Sequence, residues 1–95
     1  MIRCIRFRPY EKNALKGFVD LHLTRVGLII RGCLWIAKDG EEFVGFPMRS
    51  YRDQDGRQWR ALIEFAADAT KAREQFQAKA LEAIHAFVDA SRVAP

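Results

Sequence analysis

The chain has 95 residues, 49% of them hydrophobic and 29% charged, with a formal net charge of +4. That length supports one domain, residues 1–95, and that apolar share excludes a disordered polymer. No run approaches the roughly 18 apolar residues of a membrane-crossing helix.

Residues 2–8 alternate, with Arg3, Ile5 and Phe7 on one side and Cys4, Arg6 and Arg8 on the other. This predicts an edge-type strand with a basic face, ended by Pro9 and a turn over Glu11, Lys12 and Asn13. Residues 15–23 predict a second strand, with Val19, Leu21 and Leu23 inward and Asp20 and His22 outward. A short link, Thr24 to Gly27, leads to the apolar run Leu28–Ala37. Gly32 inside that run predicts a bulge or a close backbone approach. Asp39-Gly40 then predicts a hairpin, because glycine accepts the positive φ that the turn needs. Residues 28–37 and 42–47 are read as the two central strands of an antiparallel sheet.

After Pro47 the chain turns polar and arginine-rich, with a second Asp-Gly at Asp55-Gly56. This predicts a long mobile loop or an extended hairpin arm over 48–58. Residues 59–65 alternate again and predict a fifth strand, with Trp59, Ala61, Ile63 and Phe65 facing the core. The period then becomes helical. Phe76, Ala80, Ala83, Ile84, Phe87 and Val88 share one face, and Lys71, Gln75, Lys79, Glu82 and Asp89 the other. The helix is expected over about 69–90, with Asp68 or Thr70 available as its cap and a frayed tail from Ser91 to Pro95. Strands followed by one helix predict an α+β fold: an antiparallel sheet of about five strands, within 2–65, packed against one C-terminal helix.

The charge is uneven. Residues 1–60 hold 12 Lys/Arg against 7 Asp/Glu, a net of +5; residues 61–95 hold 4 against 5, a net of −1; the two sum to +4. Arginines interleave with aromatics in two places, at Arg49, Tyr51, Arg52, Arg57, Trp59 and Arg60, and at Arg3, Arg6, Arg8, Tyr10, Lys12 and Lys16. Cations neutralise phosphates and aromatic faces stack on unpaired bases. The plainer reading is a solvated basic rim whose Tyr and Trp complete the core. His22, His85, Cys4 and Cys33 are too scattered for a metal or Cys–His site, and no catalytic or phosphate-binding motif is present. The expectation is no enzyme, no cofactor and no metal. Met1-Ile2-Arg3-Cys4-Ile5-Arg6 lacks the apolar block of a signal peptide, so a cytoplasmic protein with reduced, core-facing cysteines is expected.

Leu28-Ile29-Ile30-Arg31, Asp39-Gly40, Phe43-Val44-Gly45-Phe46-Pro47, a basic loop with Asp55-Gly56, and a helix containing Arg73 resemble the stage V sporulation protein G family of septation regulators. The resemblance covers roughly residues 15–88. Met48 stands where the family has Ser after the Pro, and Ile63-Glu64-Phe65-Ala66 replaces its Ala-His-Pro. Strands before a C-terminal helix are also similar to the Whirly and coactivator-type single-strand binders. The family resemblance implies a small dimeric nucleic-acid-binding regulator that binds through Arg49, Arg52 and Arg57.

The sequence therefore predicts a non-enzymatic nucleic-acid binder, of single-stranded DNA or RNA in preference to duplex. Its expected site is Arg49, Tyr51, Arg52, Arg57, Arg60, Arg6 and Arg8. The alternative is a structural or protein-interaction module with no nucleic-acid ligand. Small size, open sheet edges and the 48–58 arm further predict a homodimer, with no membrane partner.

Overall fold

Period-2 alternation produces six strands, and the 3.6-residue stripe one helix, in the computed structural model, which describes residues 1–93. The strands are β1 (Ile2–Lys12), β2 (Leu15–Leu23), β3 (Leu28–Lys38), β4 (Glu41–Gly45), β5 (Met48–Asp53) and β6 (Gly56–Ala61). The helix is α1 (Thr70–Val93). Strands β1 to β4 form an antiparallel sheet in chain order, and β5 and β6 form a separate two-stranded hairpin. The helix packs on one face of the larger sheet, so the architecture is α+β.

Neighbouring strands pair because each link between them is short. At the β3–β4 turn Asp39 has φ 55° and Gly40 φ 80°, the paired positive angles of a two-residue hairpin loop. Chain-order pairing makes β2 and β3 the central strands, not β3 and β4, and leaves β4 at an edge. β1 is the other edge, and there Pro9 does not end the strand. Its missing N–H removes no central ladder bond, so β1 runs on to Lys12. The fifth strand also differs from expectation. It ends at Ala61 and pairs only with β5, so residues 62–69 become a connection. The helix starts with Ala69, not Asp68 or Thr70, at the N-cap position, where its carbonyl accepts from Arg73 N at 3.0 Å. It continues past the expected end to Val93; of the expected frayed tail, residues 94–95 lie outside the described residues.

The core lies between the sheet and α1. Cys4, Val19, Leu21, Cys33, Trp35 and Val44 meet Phe76, Ala80, Ile84 and Val88 of the helix. Ala80 lets the backbones approach, while the fully buried Leu21 and Ile84 each contribute about 2–3 kcal/mol. Phe46, Phe65 and Phe76 form an aromatic trio, with centroids 4.9 to 5.5 Å apart, that fastens the 62–69 connection to the helix.

Irregularities in the sheet decide which residues face the helix. Cys4 pairs with Leu21 and Arg6 with Asp20, so Ile5 has no partner and forms a bulge. The bulge puts Ile2, Cys4 and Phe7 on the helix side. Arg3 joins Arg6 and Arg8 on the other, and Ile5 is exposed rather than inward. Gly32 bulges as its sequence position predicts. Val19 pairs with Cys33 and Leu21 with Ile30, leaving Asp20 opposite both Arg31 and Gly32. Asp20 is buried there, its carboxylate accepting from Arg31 at 3.0 Å and from Gly32 N at 2.9 Å. Gly17 fits under β1 only because it has no side chain. A Cβ there would lie 2.6 Å from both the Arg8 carbonyl oxygen and the Phe7 ring.

The edge of β4 is closed by a side chain. The Gln77 carboxamide accepts from Val44 N and donates to Val44 O, both at 2.8 Å. It takes the place that a further strand would fill. The radius of gyration is 14.5 Å, against roughly 12 Å for a compact chain of this length, and the longest dimension is 51 Å. The excess reflects the β5–β6 arm, which projects from the sheet.

Candidate nucleic-acid interface

One face of the four-stranded sheet carries no helix. Strand alternation, corrected for the bulges, assigns its rows. Arg3, His22 and Ile29 form one row, Arg6, Asp20 and Arg31 the next, and Arg8, Phe18, Leu34 and Gly45 the third. Aromatic contacts hold the third row together. The Arg8 guanidinium lies 5.1 Å from the Phe18 ring centroid, and Tyr10 packs beside Phe18 at 5.8 Å. Arg31 is fixed by Asp20, but its side chain is 68% exposed, so it still meets solvent. Asp20 is already engaged by Arg31 and Gly32, which leaves Arg6 and Arg8 without a neutralising carboxylate from it.

The arm forms because Asp53 accepts from Asp55 N at 2.8 Å, closing an Asx turn that hands over to Gly56 at φ 104°. The turn carboxylate is that of Asp53 rather than Asp55. Cross-strand register sets Arg49 opposite Arg60 and Arg52 opposite Arg57. The four arginines therefore do not share one face. Arg52 and Arg57 lie with Met48, Ser50 and Trp59, and Arg49 and Arg60 lie with Tyr51 on the other side. The Arg60 guanidinium is 5.3 Å from the Tyr51 centroid. Like charges directly opposite each other in a hairpin are unfavourable, and here the arrangement occurs twice in six residue pairs.

Trp59 does not reach the core. It is 63% exposed, because β6 pairs only with β5 and never joins the larger sheet. It and Met48 instead face the helix-free sheet, where they share a groove of about 430 Å³ with Phe18, Gly32, Leu34 and Pro47. A second groove of about 300 Å³ adjoins it over Phe18 and Gly32 and is lined by Arg6, Arg8, Asp20 and Arg31. The expected residues Arg6 and Arg8 are thus brought to the arm's inner face, with Arg52 and Arg57 farther along it. Arg49, Tyr51 and Arg60 are on its outer face.

Other reactive groups lie on the helix side. Burial, with Asp20 and Cys4 adding to it, pushes the Cys33 thiol up to about 12, and burial raises that of Cys4. Both cysteines are free and buried in the core. Glu42 accepts from Trp35 Nε1 at 2.8 Å and lies 2.9 Å from His85 Nε2. Its burial disfavours charge, but the bonds from Trp35 and His85 outweigh that and hold the carboxyl below its ordinary value. Among the described residues no three His, Cys, Asp or Glu side chains converge as metal ligands, and no helix is long and apolar enough to cross a membrane.

Comparison with family models, curated proteins and solved structures returned no match. The site rests on its own geometry. Sequence reasoning missed Phe18, Arg31 and Met48. Phe18 carried a usable signal: it is an aromatic on the polar parity of its strand, two residues before Asp20.

Proposed function

We propose that this protein is a non-enzymatic nucleic-acid-binding module that holds a sugar–phosphate backbone along its arm and its open sheet face. The observation that carries this reading is the pair of arginine-against-arginine facings in the projecting hairpin, Arg49 with Arg60 and Arg52 with Arg57. Such facings cost stability in the free protein, and a polyanion relieves them. Arg3, Arg6 and Arg8 on the adjoining sheet extend the same cationic track. Binding of fluorescent oligonucleotides across a salt series tests it. Affinity should fall steeply with salt. Replacing Arg49, Arg52, Arg57 and Arg60 by Gln should lower the slope by about 0.7 for each single-strand phosphate no longer neutralised. Absence of binding at low salt, or an unchanged slope in the quadruple variant, would refute it.

A second reading, a protein-interaction module, is favoured by one observation. An apolar groove of about 1050 Å³ runs between the start of α1 and the β2–β3 end of the sheet. Val26 and Leu28 beside it are 65% and 58% exposed. Its lining carries Arg25 and Lys79 with Glu64, charges of both signs, which suits contact with a second copy of the chain across a two-fold axis. This is a face-to-face route to a homodimer, distinct from strand addition at β4, whose edge Gln77 covers. Light scattering should give twice the 11.0 kDa of one chain. Leu28→Glu should return it to one.

A further inference from the structure

We propose that the groove between the open sheet face and the arm is a slot for one unpaired nucleobase; this rests on the nucleic-acid reading above and names what the groove accepts. The groove measures about 430 Å³, within the range of small-molecule sites, and is walled by Phe18, Leu34, Pro47, Met48 and Trp59. Every one of those side chains is apolar or aromatic, and none carries a charge. Trp59 is the most telling of them. An indole left 63% in water on a projecting arm contributes little to folding, whereas its ring face is suited to stack on a base.

The floor of the slot is bare backbone. Gly32 holds φ at +74° within its bulge, and a Cβ built there would meet nothing within 4 Å. Asp20 pins that bulge by accepting from Gly32 N, so the floor is fixed and the space above it stays open. The adjoining cationic groove shares Phe18 and Gly32 and presents Arg6 and Arg8. A nucleotide therefore fits with its base on the Trp59 side and its phosphate on the arginine side. The slot's side chains offer only the Trp59 indole N–H as a conventional hydrogen-bonding group. It reads the face of a base rather than its edge, which makes it tolerant of sequence. A duplex keeps its bases paired and stacked and must unstack one to enter, at a cost of a few kcal/mol. The slot thus selects single strands.

The test measures binding of the full chain, at fixed low salt, to three probes of about 12 nucleotides: a thymidine oligonucleotide, an abasic strand and a duplex. The thymidine strand should bind roughly tenfold or more tightly than the abasic strand. Trp59→Ala should abolish that difference, and Trp59→Phe should keep most of it. Because Trp59 is exposed, the alanine variant should keep the wild-type circular dichroism spectrum. Equal affinity for thymidine and abasic strands, or a Trp59→Ala variant that binds thymidine strands like wild type, overturns the slot. Binding to all three probes with no preference removes the slot and leaves the backbone-binding function standing. No binding to any probe removes both.

Discussion

Replacing Gln77 by Met tests whether a side chain closes the sheet. The substitution keeps an unbranched side chain and nearly the same helix propensity, so α1 itself is unaffected. It removes two hydrogen bonds of 2.8 Å, one to each backbone group of Val44. Each is worth about 1 kcal/mol net. Val44 is buried, but Gln77 is half-buried at the sheet margin, so water can reach part of what is freed. The expected loss is about 1.5 kcal/mol, which for a domain of this size lowers Tm by roughly 6–12 °C. Urea unfolding followed by circular dichroism reads the loss as a lower midpoint at unchanged slope. Amide exchange supplies the local readout: the Val44 N–H should lose protection in the variant while the β2–β3 ladder keeps its own. A loss under about 0.5 kcal/mol, or a Val44 amide as protected as in wild type, would refute the reasoning.

Gly17→Ala should destabilise by about 1–3 kcal/mol in the same unfolding assay, since the new methyl group meets the Arg8 carbonyl and the Phe7 ring at 2.6 Å and the β1 backbone must shift to admit it. Because Glu42 is held below its ordinary carboxylate value of 4.5, it adds stability above that pH and loses it as pH falls through its folded value. Stability should therefore drop on acidification below about 4.5, and Glu42→Gln should flatten that limb; an identical acid limb in both proteins counts against the Trp35–Glu42–His85 cluster. Native Cys33, buried and with its thiol pushed up to about 12, should label with a thiol reagent at pH 8 only on unfolding. Rapid labelling of the folded protein would contradict its place in the core.

What was legible in the sequence was whatever depends on local period. The α1 stripe was readable because Phe76, Ala80, Ile84 and Val88 repeat every four residues, and each is buried. The Gly32 bulge and the Asp39-Gly40 turn were readable because glycine marks a φ that other residues avoid. The Ile5 bulge has no such mark: it uses an ordinary residue, and its only trace is a change of parity that looks like continued alternation. Trp59 was misplaced for a different reason. Its alternation with Ala61, Ile63 and Phe65 fixes a face of β6 but not whether that face meets the sheet, a choice made by pairing with β5. Gln77 and Asp20 were invisible because their roles lie in bonds to strands 33 and 12 residues away. The candidate site shared both limits. Its arginines could be counted in the sequence, but their facing pairs and the Phe18–Trp59 groove arise from long-range register.

The Ile5 bulge has a consequence for how the chain tolerates changes of length. Ile5 is a residue with no opposite number, inserted between Cys4 facing the helix and Arg6 facing away. Deleting it leaves Cys4, Arg6 and Phe7 in plain alternation, with each side chain on the face it already occupies. Deleting Arg6 has the same effect on register, because Ile5 slides into the vacated outward position. A deletion at Phe7 removes a residue whose neighbours have no spare, and the arginine after it is carried toward the helix. Between Cys4 and Arg6 the first strand thus holds one residue of slack, and the edge can be shortened there without turning its basic face inward; a second irregularity in its pairing lies farther along, between Pro9 and Lys12.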